Sequence, residues 1–177
     1  MNQNPKPDYF TLFNLPRRYA LDETALGESW RALLSRVHPD TAALADAAVK
    51  RQSVEDAAYL NEAYRVLKDP VRRGEYLLQC YDEASTGSHE TLPVEFLSEQ
   101  LDMREAAEEA WQMGDRDRLE SLHASLTAAQ QQQQKVLAAL FVDEAPSMEM
   151  LASARQHVLM LQFITRFADD LDEKLNA

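Results

Sequence analysis

Residues that favour helices dominate this chain, and residues that interrupt helices are few. Among 177 residues there are only four glycines, whereas alanine, leucine, glutamate, glutamine and arginine fill long stretches. Helix propensity is informative when it is summed over stretches of this length, although each residue contributes little. The same composition gives β-strands little support. The sequence therefore predicts an all-α protein.

Proline and aspartate residues divide the first half of the chain into four predicted helices. A brief helix covers Asp8–Phe13, and Asp22 caps a longer one whose apolar residues recur at helical intervals until Pro39. A third helix ends before Asp69-Pro70, because the residue before a proline disfavours the α region, and a short helical turn covers Arg72–Tyr81. Two antiparallel helices clamped by short ones can form a small domain by themselves. The residues expected in its core are Phe10, Leu33, Leu34, Ala58 and Leu67.

A polar segment separates this predicted domain from the second half of the chain. Residues 83–90 contain serine, threonine, glycine and histidine and almost no apolar side chain, which is typical of a linker. We therefore expect a first domain at residues 1–82, a linker at residues 83–92 and a second domain at residues 93–177.

Three further helices are predicted in the second domain. Pro93 opens a helix that stops at Gly114, and Asp115 caps a second helix that reaches about Phe141. A third helix covers approximately residues 147–175. This pattern predicts a three-helix bundle.

The charge of the chain is uneven. The formal net charge is -12, and residues 1–82 hold 11 basic and 12 acidic side chains whereas residues 83–177 hold 7 and 18. General binding to nucleic acid is not expected, because that binding depends on lysine and arginine that neutralise phosphates. A nearly neutral half followed by an acidic half instead suggests two units with different partners.

The sequence has no segment typical of export or membrane insertion. Met1–Lys6 lacks the apolar core of a signal peptide, and no run approaches the ~20 apolar residues that a membrane-spanning helix needs. The single Cys80 cannot form an internal disulfide. We expect a cytoplasmic protein that does not bind membranes.

The tripeptide His38-Pro39-Asp40 lies between the two long helices of the first domain. Taken alone it fits a simple helix end, because proline stops the helix and histidine interacts favourably with the helix dipole. Its setting is more specific: Asp8-Tyr9-Phe10 precedes it, and the segment from Asn61 to Arg73 follows it.

Together these elements resemble the J-domain of DnaJ-type co-chaperones, over Tyr9–Tyr81. Within the J-proteins, the segments Asp8–Pro16, Tyr19–Asp22 and Arg73–Leu78 resemble the HscB family, the co-chaperones of iron–sulfur cluster assembly. The resemblance implies that His38-Pro39-Asp40 docks on a DnaK-type chaperone, HscA, and promotes its ATP hydrolysis. It also implies a protein that is not itself an enzyme and needs no cofactor.

J-domains usually carry a basic face on the helix before the loop. This sequence offers Arg31 and Arg36 there, and Thr41 replaces the lysine that commonly follows the tripeptide. The resemblance makes Arg31 and Arg36 candidate chaperone contacts, whereas the later cations Arg65, Lys68, Arg72 and Arg73 have solvated surface charge as their commoner role.

In the helix that opens at Pro93, Leu97 and Leu101 lie beside the predicted core stripe. That stripe, placed by the ~100° that each residue turns, consists of Phe96, Met103, Ala107, Ala110 and Trp111. On the pattern alone the two leucines are either the widened edge of the core or a binding surface.

The family resemblance favours the binding surface, because the corresponding helix contacts the scaffold protein IscU through apolar residues flanked by acidic ones. Ser98 stands where a larger apolar residue is expected, and on the last helix Met160 completes the surface, with Phe163 as the alternative. The candidate scaffold-binding residues on the first helix are Leu97, Leu101, Asp102, Glu105 and Glu109.

Two alternatives remain. The chain could be a J-protein that recruits a general DnaK to another client, with the bundle used for dimerisation or client choice. It could instead be an enzyme or metal protein that uses His38 and Asp40, or His89, His123 and His157, although these histidines are scattered and none has the spacing of metal ligands.

Overall fold

A computed structural model describes residues 6–37, 47–81, 91–142 and 145–176, and every regular element within these ranges is an α-helix. The all-α prediction is therefore confirmed. The chain divides into two compact units, Met1–Leu77 and Leu78–Ala177. The helices are α1 Tyr9–Leu12, α2 Glu23–Val37, α3 Ala47–Lys68, α4 Pro70–Tyr81, α5 Val94–Met113, α6 Arg116–Leu140 and α7 Met148–Asn176.

The observed division falls inside α4, whereas the sequence places the end of the first domain at residue 82. Residues 83–90 of the predicted linker lie outside the described residues, so the linker stays a prediction. The short turn expected at Arg72–Tyr81 is a full helix that begins at Pro70, a position where proline is well tolerated because the first helical N–H has no intrahelical acceptor.

Aspartate side chains fix the start of four helices. The carboxylate of Asp8 accepts hydrogen bonds from the backbone N–H groups of Phe10 and Thr11, at 3.1 and 3.2 Å. Asp22, Asp69 and Asp115 accept from backbone N–H groups two or three residues further on in the same way. These bonds satisfy N–H groups that a helix leaves free in its first turn. The predicted caps Asp22 and Asp115 are confirmed.

The first unit is built on the antiparallel pair α2 and α3, with α1 against α3. Phe10 and Leu67 are buried as expected, and Leu33 and Leu34 are half-buried. The prediction for Ala58 is wrong, because this residue is exposed. The α3 residues that face the core are instead Leu60, Ala63 and Leu67, which follow one another at helical spacing. The remaining buried apolar residues of this unit are Phe13, Tyr19, Leu26 and Leu77.

The second unit contains the predicted three-helix bundle, in which the contact between α6 and α7 is the most extensive. Gly114 ends α5 with a φ of 68°, a left-handed conformation that glycine adopts without strain. Ala107 and Ala110 are buried, and Phe96 and Met103 pack against the same core. Trp111 is 43% exposed, so its predicted place in the core is wrong. The core residues from α6 and α7 include Leu119, Leu122, Leu126, Ile164, Phe167, Ala168 and Leu171.

Five consecutive glutamines, residues 130–134, continue α6 without interruption. The amide of Gln130 donates to the hydroxyl of Thr165 at 3.2 Å, and Gln133 Oε1 lies 2.6 Å from His157 Nδ1. Two side chains of the run therefore form hydrogen bonds to α7 and help to hold the bundle together. This agrees with the high helix propensity of glutamine.

Candidate functional site

The two long helices of the first unit are joined by a specific set of side-chain contacts. The indole of Trp30 in α2 stacks on the ring of Tyr64 in α3, with 4.6 Å between ring centroids. The indole Nε1 also donates to Oδ1 of Asn61 at 3.0 Å. These contacts hold α2 and α3 side by side.

The predicted chaperone-binding tripeptide His38-Pro39-Asp40 lies outside the described residues, as does Thr41. The helix that leads to it is described up to Val37, and the predicted contacts Arg31 and Arg36 are both exposed on that helix. Five positions separate Arg31 and Arg36, so the two cations lie about 140° apart around α2 rather than on one face, and their role as chaperone contacts stays a prediction.

Arg73 does not belong to this exposed basic surface. Its side chain is buried, with 4% of the residue exposed, and its guanidinium lies 5.0 Å from the ring centroid of Tyr19. One terminal nitrogen donates to the carbonyl oxygen of Leu67 at 3.1 Å. The expectation of a solvated charge is therefore wrong for Arg73, whereas Arg65, Lys68 and Arg72 are exposed.

Burial of the aromatic ring also affects Tyr19. Its hydroxyl donates to the carbonyl oxygen of Pro70 at 3.0 Å. Burial raises the pKa of Tyr19 to about 12, although the nearby cation of Arg73 opposes the change. Tyr19 therefore remains a neutral hydrogen-bond donor at any physiological pH, and its hydroxyl links the segment before α2 to the start of α4.

The second candidate surface lies on α5, where Leu97 and Leu101 are 42% and 57% exposed. The two residues are four positions apart and therefore neighbours on one face of the helix. Val94, 76% exposed, extends the same face towards the start of α5. The structure thus favours a surface patch over the widened edge of a core. We refer to Leu97 and Leu101 as the leucine pair.

The acidic residues predicted to flank the leucine pair are all accessible. Asp102, Glu105 and Glu109 are exposed on α5, and Ser98 is exposed beside Leu97. An apolar centre with a charged rim is the usual composition of a reversible protein interface. The structure therefore places the five α5 residues of the predicted scaffold surface together on the outside of one helix.

On α7, Met160 and Phe163 are both half-buried. The ring of Phe163 contacts that of Phe96 edge to face, with centroids 5.8 Å apart, and the guanidinium of Arg104 lies 5.4 Å from its centroid. Phe163 thus contacts the helix that carries the leucine pair. The contribution of Met160 to the scaffold surface stays a prediction.

Comparison with known proteins gives the wider context of these surfaces. A curated relative from Azoarcus sp. strain BH72, named co-chaperone protein HscB homolog, is 38% identical over 171 residues, which are 96% of this chain and 94% of the relative. The chain belongs to the HscB co-chaperone family. In addition, the family model described as the HSCB C-terminal oligomerisation domain matches residues 92–172.

Solved structures of HscB proteins share the fold. Chaperone HscB from Vibrio cholerae aligns with a TM-score of 0.80 and 31% identity, and covers 94% of this chain and 96% of its own. The human co-chaperone HscB aligns with a TM-score of 0.72 at 21% identity, over 97% of this chain and 86% of its own, and supports the fold alone. The predicted architecture, an N-terminal J-domain and a C-terminal helical bundle, is therefore confirmed.

The described residues contain no group of three or more histidine, cysteine, aspartate or glutamate side chains that could hold a metal ion. Of the histidines that a metal protein would use, His123 lies 3.1 Å from Asp172, and His157 bonds to Gln133. No helix in the described ranges has both the length and the apolar character needed to cross a bilayer.

Sequence reasoning missed one buried polar residue of this HscB-family bundle. Gln100 is buried on α5, and its Oε1 atom has no hydrogen-bond donor among the described residues. The signal was available, because at ~100° per residue position 100 falls within the predicted core stripe, between Ala107 and Trp111. Its polar side chain is the reason that it does not stand out as a core position.

Proposed function

We propose that this chain is an adaptor co-chaperone of iron–sulfur cluster assembly, which binds the scaffold protein IscU on α5 and delivers it to the DnaK-type chaperone HscA. In this proposal the loop His38-Pro39-Asp40, with Arg31 and Arg36, docks on HscA and stimulates ATP hydrolysis. The two tasks use different units of the molecule. The chain performs no chemistry on a substrate.

The observation that carries the proposal is the exposure of the leucine pair within the segment that matches the HscB family model. Burying two leucines that are about half exposed removes apolar area from water, which is the main favourable term in protein association. The exposed carboxylates of Asp102, Glu105 and Glu109 surround this apolar centre and would select a partner surface of positive charge.

The scaffold surface is tested by the affinity of the purified protein for IscU, measured by titration calorimetry. The double change Leu97→Ala and Leu101→Ala should weaken binding by at least about tenfold, because truncation of central interface residues costs more than about 1 kcal/mol. Met113→Ala is the matched control, since Met113 is also an exposed apolar residue of α5, 72% accessible, but lies on another side of the helix. Unchanged affinity in the double variant would refute the assignment of the surface.

The docking loop is tested separately by the ATPase rate of HscA. His38→Gln should abolish the stimulation while the affinity for IscU stays as in the unaltered protein. Full stimulation by this variant would contradict the role of the tripeptide. Affinity purification from cells should recover HscA and IscU, and recovery of DnaK with neither of them would contradict the proposed partners.

A further inference from the structure

A groove of about 570 Å³ runs between α5 and α7 in the second unit. It begins one turn beyond the leucine pair and is not part of the surface described above. Its floor is aromatic, because Phe167 and the exposed ring of Trp111 both line it. Its charged residues are Arg104, Glu108, Asp170, Glu173 and Lys174.

The groove continues the scaffold surface along a single line of residues. From Leu97 to Leu101 to Arg104 to Glu108 to Trp111 the spacing alternates between four and three residues. This is the spacing that keeps side chains on one face of a helix. The line covers 14 residue steps and is therefore about 21 Å long at 1.5 Å per step. A partner that lies along the leucine pair thus meets Trp111 if it continues in the same direction.

Two cations of the groove are already engaged by the protein itself. Lys174 Nζ lies 2.7 Å from Glu108 Oε2 and 5.7 Å from the centroid of the Trp111 ring. Arg104 lies 4.4 Å from the ring centroid of Phe167 and 3.6 Å from Asp170. Cations over aromatic faces and beside carboxylates are favourable contacts. The groove therefore binds two cations of the protein itself through ring contacts and ion pairs, and a cation of a partner could make the same contacts.

The net negative charge of the groove favours a positively charged partner. Its lining holds three carboxylates, Glu108, Asp170 and Glu173, against two cations, Arg104 and Lys174. The exposed Glu105 and Glu109 add negative charge to the neighbouring side of α5. Charge complementarity thus points to a positively charged segment rather than an acidic or purely apolar one.

We propose that this groove is a second subsite for the same partner that binds the leucine pair, and that it takes a lysine or arginine side chain of that partner on Trp111, beside Glu108. The inference rests on the proposed function. Lys174 occupies the subsite in the free protein, and the partner cation replaces it there. Lys174 is then an internal competitor of binding.

The first test is the affinity of Trp111 variants for IscU, by titration calorimetry. Trp111→Ala should weaken binding about tenfold, in line with the weight of tryptophan at the centre of interfaces, whereas Trp111→Phe should retain most of the affinity because it keeps an aromatic face. Met113→Ala is again the control. Equal affinity of Trp111→Ala and the unaltered protein would overturn the subsite.

The second test is the affinity of Lys174→Ala for IscU. Removal of the competitor should tighten binding to IscU severalfold, while a merely structural role of the Lys174–Trp111 contact would leave the affinity unchanged or reduce it. Thermal unfolding followed by circular dichroism shows whether each variant is folded. Weaker or unchanged binding by folded Lys174→Ala would overturn the proposal of a cationic occupant.

The two proposals can fail separately. If the leucine double variant loses affinity and Trp111→Ala does not, the scaffold surface stands and the subsite is refuted. If neither variant loses affinity, the scaffold surface itself is refuted.

Discussion

The hydroxyl group of Ser53, in the second turn of α3, donates a hydrogen bond to the backbone carbonyl of Val37, the last residue of α2. Carbonyl groups in the last turn of a helix have no partner within the helix, so a side chain from a neighbouring helix can satisfy one of them. This bond ties the end of α2 to α3 at the point where the chain leaves towards His38-Pro39-Asp40.

Ser53→Ala should therefore loosen the end of α2. We expect a loss of about 1 kcal/mol in the free energy of unfolding, the usual net value of a hydrogen bond, and faster amide exchange in the last turn of α2. Ser35→Ala is the matched control, because the Ser35 hydroxyl donates only within α2, to Ala32 at 2.9 Å. Equal exchange rates in the two variants would show that the bond does not hold the helix end.

Arg73→Lys should destabilise the first unit by about 2 kcal/mol, because breaking a buried network of contacts is among the costly changes in proteins. Lysine lacks the planar guanidinium that lies over Tyr19, and its single ammonium group cannot reproduce the contacts with Leu67 and Glu23. Arg72→Lys, at the exposed neighbour, should change stability by less than about 0.5 kcal/mol. Urea unfolding curves of the two variants give the comparison directly.

Asp8 should make the stability of the first unit depend on acid pH. Partial burial raises the pKa of this carboxyl, but hydrogen bonds from Arg17 and Thr11 outweigh it and lower the pKa to about 2 from the ordinary 3.8. Because the folded-state pKa is depressed, the stabilisation is complete above the unfolded-state value of 3.8 and is lost as the pH falls towards 2. Asp8→Asn keeps an oxygen for the helix cap but removes this dependence.

Unfolding of both proteins at pH 6 and pH 2 provides the measurement. The free energy of unfolding of the unaltered protein should exceed that of Asp8→Asn by about 1 kcal/mol at pH 6, and most of this difference should be lost at pH 2. Arg17→Gln should lie between them, since Arg17 supplies one of the hydrogen bonds that lower the pKa. A constant difference at both pH values would exclude the titration of Asp8 as its cause.

His157 should make the stability of the second unit depend on pH in a range nearer to neutrality. Burial lowers the pKa of this histidine below its ordinary 6.5, so the folded state holds its proton less tightly than the unfolded state. The associated stability is therefore present above pH 6.5 and is lost as the pH falls through the lower folded-state value. The melting temperature should fall less between pH 7.5 and 5.5 in His157→Gln than in the unaltered protein. An equal fall in the two proteins would show that His157 is not the source of the pH dependence.

Local signals in the sequence account for most of the fold. Helix ends depend on neighbouring residues, so Asp22, Asp115 and Gly114 could be assigned without knowledge of the tertiary structure. The face that a helix buries is less predictable, since it depends on its neighbours. Ala58 and Trp111 have apolar side chains at helical spacing, yet both are exposed, Trp111 in a groove beside α7 rather than inside the core.

The candidate site likewise has features that could be predicted from the sequence and features that depend on packing. The family resemblance supplied the leucine pair and its acidic neighbours, and their exposure then followed from the packing of α5. The burial of Arg73 has a weak signal in the sequence, because this residue lies three positions after Pro70 and four before Leu77, on the inner face of α4. Arginine is rarely placed in a core, and its burial here depends on tertiary contacts with the Tyr19 ring and the Leu67 carbonyl.

The glutamine run has a consequence for how this chain can evolve. A surface loop usually tolerates the gain or loss of a residue. Here, one glutamine more or fewer would rotate everything that follows in α6 by about 100° and shift it by about 1.5 Å. Leu137 and Phe141, both buried, would leave the core, and the register between α6 and α7 would be lost. Synonymous codon changes within Gln130–Gln134 would therefore leave the fold intact, whereas a change in the number of glutamines would disrupt it.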